Sequence, residues 1–295
     1  MHNEKTLISG TFIDEISYDI PSSNWTDEQW IADLDYMYEI GIDTLIFIRG
    51  GMYCKSIFPS RVLGTEHRDD FAGLIISEAE KRNMQVYFGL YVSNLEWNGG
   101  DAQTEIAINR EFAREVWERY GQSPAFAGWY IPQETCCDEL NITEIIQGLS
   151  KICKGLAPHK PIIISPFFAA HRGFTPQDHY EEWDRIFAKV ADYVDICAFQ
   201  DGSAPIEQME DFLIATDKLC KKYNIRHWVN TETFERDVRQ LYFPIGFQDL
   251  KQKLEMHQAY AEKIITFEFS HFLSPQSIFP SARNLNALYR SHYKI

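Results

Sequence analysis

Apolar residues recur along this chain with two different periods. Compact runs rich in Leu, Ile, Val, Phe and Tyr alternate with longer stretches in which apolar positions return every three or four residues. The first pattern marks strands covered on both faces, and the second marks amphipathic helices. Strands are predicted over residues 7–14, 44–49, 85–92, 126–131, 161–166, 194–200, 227–231 and 263–269. Helices are predicted over 27–40, 70–82, 104–120, 142–155, 177–190, 206–223 and 247–260, with a last one over 282–292. Thr26 is placed to cap the first helix and Gly41 to end it, and Asn141 is placed to cap the fourth. Strand–helix alternation repeated eight times in 295 residues fits the α/β class and a single (β/α)8 TIM barrel, one domain over 1–295. An open doubly wound sheet is the competing architecture. It usually carries a Gly-rich phosphate loop after its first strand, and here that strand runs into FIDEISYDIPSS.

Charge narrows the partners. A formal net charge of −15 repels phosphate backbones and anionic lipid, so neither nucleic acid nor a membrane is expected as a partner. The six cysteines include no CxxC pair, which argues against a structural zinc site, and they do not resemble a disulfide framework. No apolar run approaches the length of a membrane span. The segment MHNEKTLISG lacks the apolar core of a signal peptide, so a cytoplasmic protein is expected; a secreted or periplasmic chain trimmed of its leader would read the same.

In a barrel of this kind chemistry gathers where strands end. Those positions offer Asp14 and Glu15, Arg49, Tyr91 and Asn94, Gln133 and Glu134, Ser165, Gln200 and Asp201, Asn230 and Glu232, and Glu268 and His271. Acids, amides and aromatics line one rim without the basic cluster a phosphate would need. Glu134 and Glu232 follow the fourth and seventh strands and so face each other across the mouth. Two opposed carboxyls, one kept protonated and one ionised, are what glycosidic bond cleavage requires. The same glutamates could instead pair with Arg49 and hold the mouth together. Glu268 is either a further acid of the site or a partner for Arg49. Gln200 and Asp201 either bind substrate hydroxyls or form an ordinary turn. Arg49, Tyr91, Gln133, Asn230 and the aromatic platform Trp97 complete the candidate substrate-binding set. His171 and His271 read as loop histidines, Cys136 and Cys137 as loop thiols, and Trp117, Trp129 and Trp183 as packing residues.

The segments GTFID (10–14), GWYIPQE (128–134), FQDG (199–202) and WVNTETF (228–234) resemble a bacterial family, domain of unknown function 4434. The resemblance implies a TIM barrel of glycoside-hydrolase type. A more distant one, to the clan A retaining glycoside hydrolases, implies an acid/base glutamate after strand four and a nucleophilic glutamate after strand seven. Glu134 and Glu232 stand at those positions; Gln133 stands where the clan has Asn. The leading expectation is a retaining glycoside hydrolase acting on a carbohydrate substrate, with Glu134 as acid/base, Glu232 as nucleophile, and no metal or organic cofactor. Two others are carried beside it. One is a metal-dependent sugar isomerase or epimerase, with Glu134, Asp201 and Glu268 as ligands. The other is a carbohydrate-binding barrel without catalysis.

Overall fold

The computed structural model describes residues 7–17, 20–63, 70–93, 101–239 and 241–295. Eight strands form a closed barrel: β1 (Ile8–Ile13), β2 (Thr44–Phe47), β3 (Gln85–Gly89), β4 (Phe126–Ile131), β5 (Ile162–Ile164), β6 (Ile196–Gln200), β7 (Arg226–Glu232) and β8 (Lys263–Phe267). Each strand pairs in parallel with the next, and β8 pairs with β1 to close the ring. Around it lie α1 (Asp27–Glu39), α2 (Phe71–Lys81), α3 (Ala102–Tyr120), α4 (Ile142–Leu156), α5 (Pro176–Val190), α6 (Met209–Tyr223), α7 (Phe247–His257) and α8 (Pro280–Tyr293). The predicted (β/α)8 barrel is the observed fold. No helix among the described residues is long and apolar enough to cross a membrane.

Strand periodicity sorts each apolar run onto two cores. On β2, Ile46 points into the barrel while Leu45 and Phe47 point out to the helices; on β5, Ile163 points in and Ile162 and Ile164 point out. Phe12, Tyr87, Tyr130, Trp228, Ile265 and Phe267 fill the interior with them. Trp129 and Trp183 are fully buried in the outer layer, and Trp117 packs on Phe126 and Trp129. All six cysteines are free thiols.

Local signals account for most helix ends. Thr26 forms a capping box with Gln29, and Gly41 follows α1 at φ +93°, a conformation that costs glycine little. Asn141 differs from expectation: it sits at φ 57° and its side chain makes no cap hydrogen bond. Several predicted strands run past the observed ends, and two of them for a visible reason. The third breaks after Gly89, because the Asn109 side chain on α3 takes both the N–H and the C=O of Tyr91 (2.9 Å each). Tyr91–Val92 then joins Gly51–Met52 and Lys55–Ser56 in a separate small sheet. The eighth ends at Phe267, because the Glu268 side chain caps a helical turn over Phe269–Phe272. The seventh is longer than expected and carries Glu232 within the barrel register, opposite Phe267.

In the outer core Phe199 is fully buried, stacked on Phe168 at 5.6 Å and meeting Trp183 edge-on at 4.8 Å. Phe199→Ala should lower unfolding free energy by about 3–5 kcal/mol in urea titration. A loss below about 1 kcal/mol would contradict the packing described.

Candidate active site

Parity along β4 and β7 decides what reaches the mouth. Tyr130 points into the barrel, so Glu134, four residues on, returns to the same side, where the Tyr130 hydroxyl donates to its Oε1 at 2.9 Å. Burial first, then the Glu134 charge, pushes the Tyr130 pKa well above its ordinary range, so the phenol stays a donor. On β7 the inward residues are Trp228, Asn230 and Glu232. Asn230 Nδ2 donates to Ser165 Oγ (3.3 Å), and Gln200 Nε2 donates to the Ser165 carbonyl (2.6 Å).

Glu232 is clamped from beneath. Its backbone N–H donates to Asp201 Oδ1 at 2.9 Å. Lys253 of α7 reaches the same Oδ1 at 3.0 Å and the Glu232 carbonyl at 3.3 Å. Asp201 is fully buried and Lys253 nearly so. His257 Nε2 lies 3.4 Å from Asp201 Oδ2, and burial lowers the His257 pKa to about 4, so this ring is neutral. The carboxyl of Glu232 folds over Gly202: a Cβ there would lie 1.6 Å from Glu232 Oε2. Burial, then the Asp201 charge, raises the Glu232 pKa to about 7; Lys253 and Arg236 pull it down, and Glu134 pushes it up across the mouth.

Beside this pair lies a cavity of about 60 Å3, with Asp14, Arg49, Glu134, Gln200 and Asn230 on its floor. That is room for roughly two waters, so it is the base of a site and not a whole ligand pocket. Arg49 pairs with Asp14 at 4.0 Å and donates to Ser17 Oγ. Asp14 Oδ2 and Asn230 Oδ1 are buried acceptors without a hydrogen-bond donor among the described residues. A β-hairpin, Phe234–Arg236 with Tyr242–Pro244, closes one side through Phe234, Arg236 and Tyr242.

The expected residues therefore divide. Glu134, Arg49, Gln200 and Asn230 line the cavity, Glu232 ends β7 outside that lining, and Asp201 anchors the Glu232 backbone. Three candidates for substrate binding are turned away. Gln133 falls on the outward parity, its amide bonded to Glu105 (2.7 Å) and the Tyr91 carbonyl (3.1 Å). The Tyr91 ring packs on Phe112 in the outer core. Glu268 is fully buried and bonds His271, not Arg49. His271 also reaches the Pro21 carbonyl through Nε2 at 2.7 Å; Glu268 outweighs the cost of burial and raises the His271 pKa to about 9. Trp97 and Asn94 lie outside the described residues.

Sequence reasoning missed Lys253, Arg236 and Tyr242. Lys253 had a signal: Leu250, Lys253, Leu254 and His257 form the buried stripe of α7, so a cation sat on an apolar face. Among the described residues, Cys136, Cys137 and Glu139 are the group with metal-ligand spacing. Arg172 already bonds Glu139 at 2.8 Å and Cys137 Sγ at 3.3 Å. Burial raises both thiols, Cys137 to about 12, so they stay protonated beside a cation and suit a metal poorly. Glu134, Asp201 and Glu268 are not gathered as a ligand set.

A family model described as a domain of unknown function, DUF4434, matches residues 8–279. The chain belongs to this family. No curated protein matches it. A crystal structure from Bacteroides thetaiotaomicron, described as a "putative alpha-L-fucosidase", is 38% identical over 99% of this chain and 95% of that one, with a TM-score of 0.95. The xylanase TsXylA of Thermoanaerobacterium saccharolyticum is 14% identical, covers 90% of this chain and 86% of its own, and has a TM-score of 0.56. A GH2 β-galacturonidase from Eisenbergiella tayi is 12% identical, with a TM-score of 0.63; it covers 97% of this chain, which spans 51% of that protein. The last two establish likeness of fold: the barrel is one that glycoside hydrolases use.

Two outcomes test the clamp. Lys253→Met leaves the Asp201 charge buried without its cation and should cost about 3–5 kcal/mol of stability, with Asp201→Asn restoring part of it. Equal stability of wild type and Lys253→Met in urea would contradict the pairing. Gly202→Ala should drive the Glu232 carboxyl to another rotamer, visible in a crystal structure of the variant; an unmoved Glu232 would contradict the packing.

Proposed function

We propose that the protein is a retaining glycoside hydrolase. The observation that carries this reading is the placement of two glutamates at one barrel mouth: Glu134 just beyond β4, lining the polar cavity, and Glu232 at the end of β7. The donorless acceptors Asp14 Oδ2 and Asn230 Oδ1 support a ligand rich in hydroxyls, since each would gain a hydrogen bond from one. The 38% identical relative described as a "putative alpha-L-fucosidase" makes α-L-fucosides the first substrates to try.

In this mechanism Glu134 gives its proton to the glycosidic oxygen as Glu232 attacks the anomeric carbon. The C–O bond to the leaving group breaks and an ester to Glu232 forms. Glu134, now a carboxylate, takes a proton from water, which attacks the same carbon and releases Glu232. The Tyr130 hydroxyl holds Glu134 in reach of that oxygen. Arg49, Gln200 and Asn230 orient the sugar.

Attack needs Glu232 ionised. With its pKa raised to about 7, the carboxylate fraction grows as pH rises through 7, so kcat/KM should fall on the acid side with a limb near there. Activity lost as pH rises through 7 would instead give Glu232 the acid's role. On a panel of aryl glycosides beginning with the α-L-fucoside, Glu232→Ala should lose about four orders of magnitude in kcat or more, and azide should restore part of it. Glu134→Ala should hurt least with acidic leaving groups, which need no proton. If both variants stay folded and keep wild-type rates, the proposal fails.

A further inference from the structure

We infer that the sugar cleaved here carries an anionic substituent, a carboxylate or a sulfate ester, and that Arg236 recognises it. The inference deepens the glycosidase reading and rests on it for the ligand being a sugar. Arg236 lies on the hairpin strand that follows β7 and is one of the residues lining the cavity. The residue is exposed, and its guanidinium rests on two aromatic rings. It sits 4.9 Å from the Tyr242 ring centroid and 5.9 Å from that of Phe234, and it donates to the Tyr242 hydroxyl at 3.1 Å. Both rings belong to the cavity wall, so the cation is fixed beside the space a ligand would enter.

The other cavity arginine is different. Arg49 faces Asp14, and its charge is largely answered. Arg236 makes no ion pair with any described acid, although the chain carries 43 Asp and Glu against 28 Lys and Arg. In so acidic a protein, an exposed arginine stacked at the cavity wall, whose charge acts on Glu232 without an ion pair to any described acid, leaves room for a further carboxylate. Its remaining N–H groups suit a two-oxygen or three-oxygen anion, which a planar guanidinium binds in a forked geometry. The recognition therefore falls to Arg236, and hydroxyl binding falls to the floor through Asp14 and Asn230.

The test has a turnover arm and a binding arm. Aryl glycosides are compared in matched pairs: glucoside with glucuronide, galactoside with galacturonide, and fucoside with its sulfated form. Wild type should prefer one acidic member over its neutral partner by about tenfold or more in kcat/KM. Arg236→Ala should erase that ratio, and Arg236→Lys should keep part of it. A uronide preference assigns a carboxylate, and a preference for the sulfated fucoside assigns a sulfate ester. Calorimetry on Glu134→Gln measures glucuronate, galacturonate and fucose sulfate against glucose, galactose and fucose. Tighter binding of an acidic sugar, lost in the Glu134→Gln/Arg236→Ala double variant, supports the inference even where no glycoside is turned over; that absence of turnover would sink the hydrolase reading alone. Equal handling of acidic and neutral sugars in both arms, no binding of any acidic sugar, or a preference that survives Arg236→Ala, overturns it.

Discussion

The buried ion pair between Lys253 and Asp201 is the constraint on which the mouth of this barrel depends. Burying two charges is costly, and an ion pair repays it only with good geometry and further hydrogen bonds. Here those bonds go to one residue. Asp201 accepts from the Glu232 amide, and Lys253 donates to the Glu232 carbonyl, so the peptide groups flanking that residue are held on both sides. The pair ties the ends of β6 and β7 to α7. Its product is position more than stability: a carboxyl fixed where burial and Asp201 make it a weaker acid than usual, and where Lys253 keeps it ionisable near neutral pH.

The opposite side of the mouth is tied down by another helix. On α3, Glu105 bonds the Gln133 amide and Asn109 holds the backbone of Tyr91, which fixes the chain leaving β3 and β4. Trp183 of α5 donates to the Cys136 carbonyl at 3.1 Å, just beyond Glu134. Each glutamate thus leaves a strand whose exit is fixed by helices packed outside the barrel. That arrangement keeps the two carboxyls in place while the interior beneath them stays apolar.

How far this was legible in the sequence follows from how far each local rule reaches. Strand periodicity carries Glu134 and Glu232 to strand ends, because the apolar runs before them are unambiguous. Periodicity does not say where a strand stops, and side-chain direction reverses with each residue. Gln133 therefore looked like a neighbour of Glu134 in space when it is a neighbour only in sequence. Glu268 was misplaced for a related reason: its side chain starts a helical turn instead of continuing β8. Arg236 sits on a hairpin whose partner strand is a Tyr-Phe-Pro segment too short to announce itself. The FQDG motif was visible, but its meaning needed the fold. Asp201 anchors a backbone 31 residues away, and Gly202 is bare so that a glutamate can lie across it.

The central claim is that Glu232 forms a covalent bond to the sugar while Glu134 serves the leaving group and the water. Trapping tests it most directly. Wild-type protein is incubated with activated 2-deoxy-2-fluoro glycosides, which form the ester readily and hydrolyse it slowly, and is then digested and mapped by mass spectrometry. The account predicts one added glycosyl group, located on Glu232 and absent from Glu232→Gln. A label on any other residue, or an enzyme that turns over its substrate with inversion at the anomeric carbon, would contradict it.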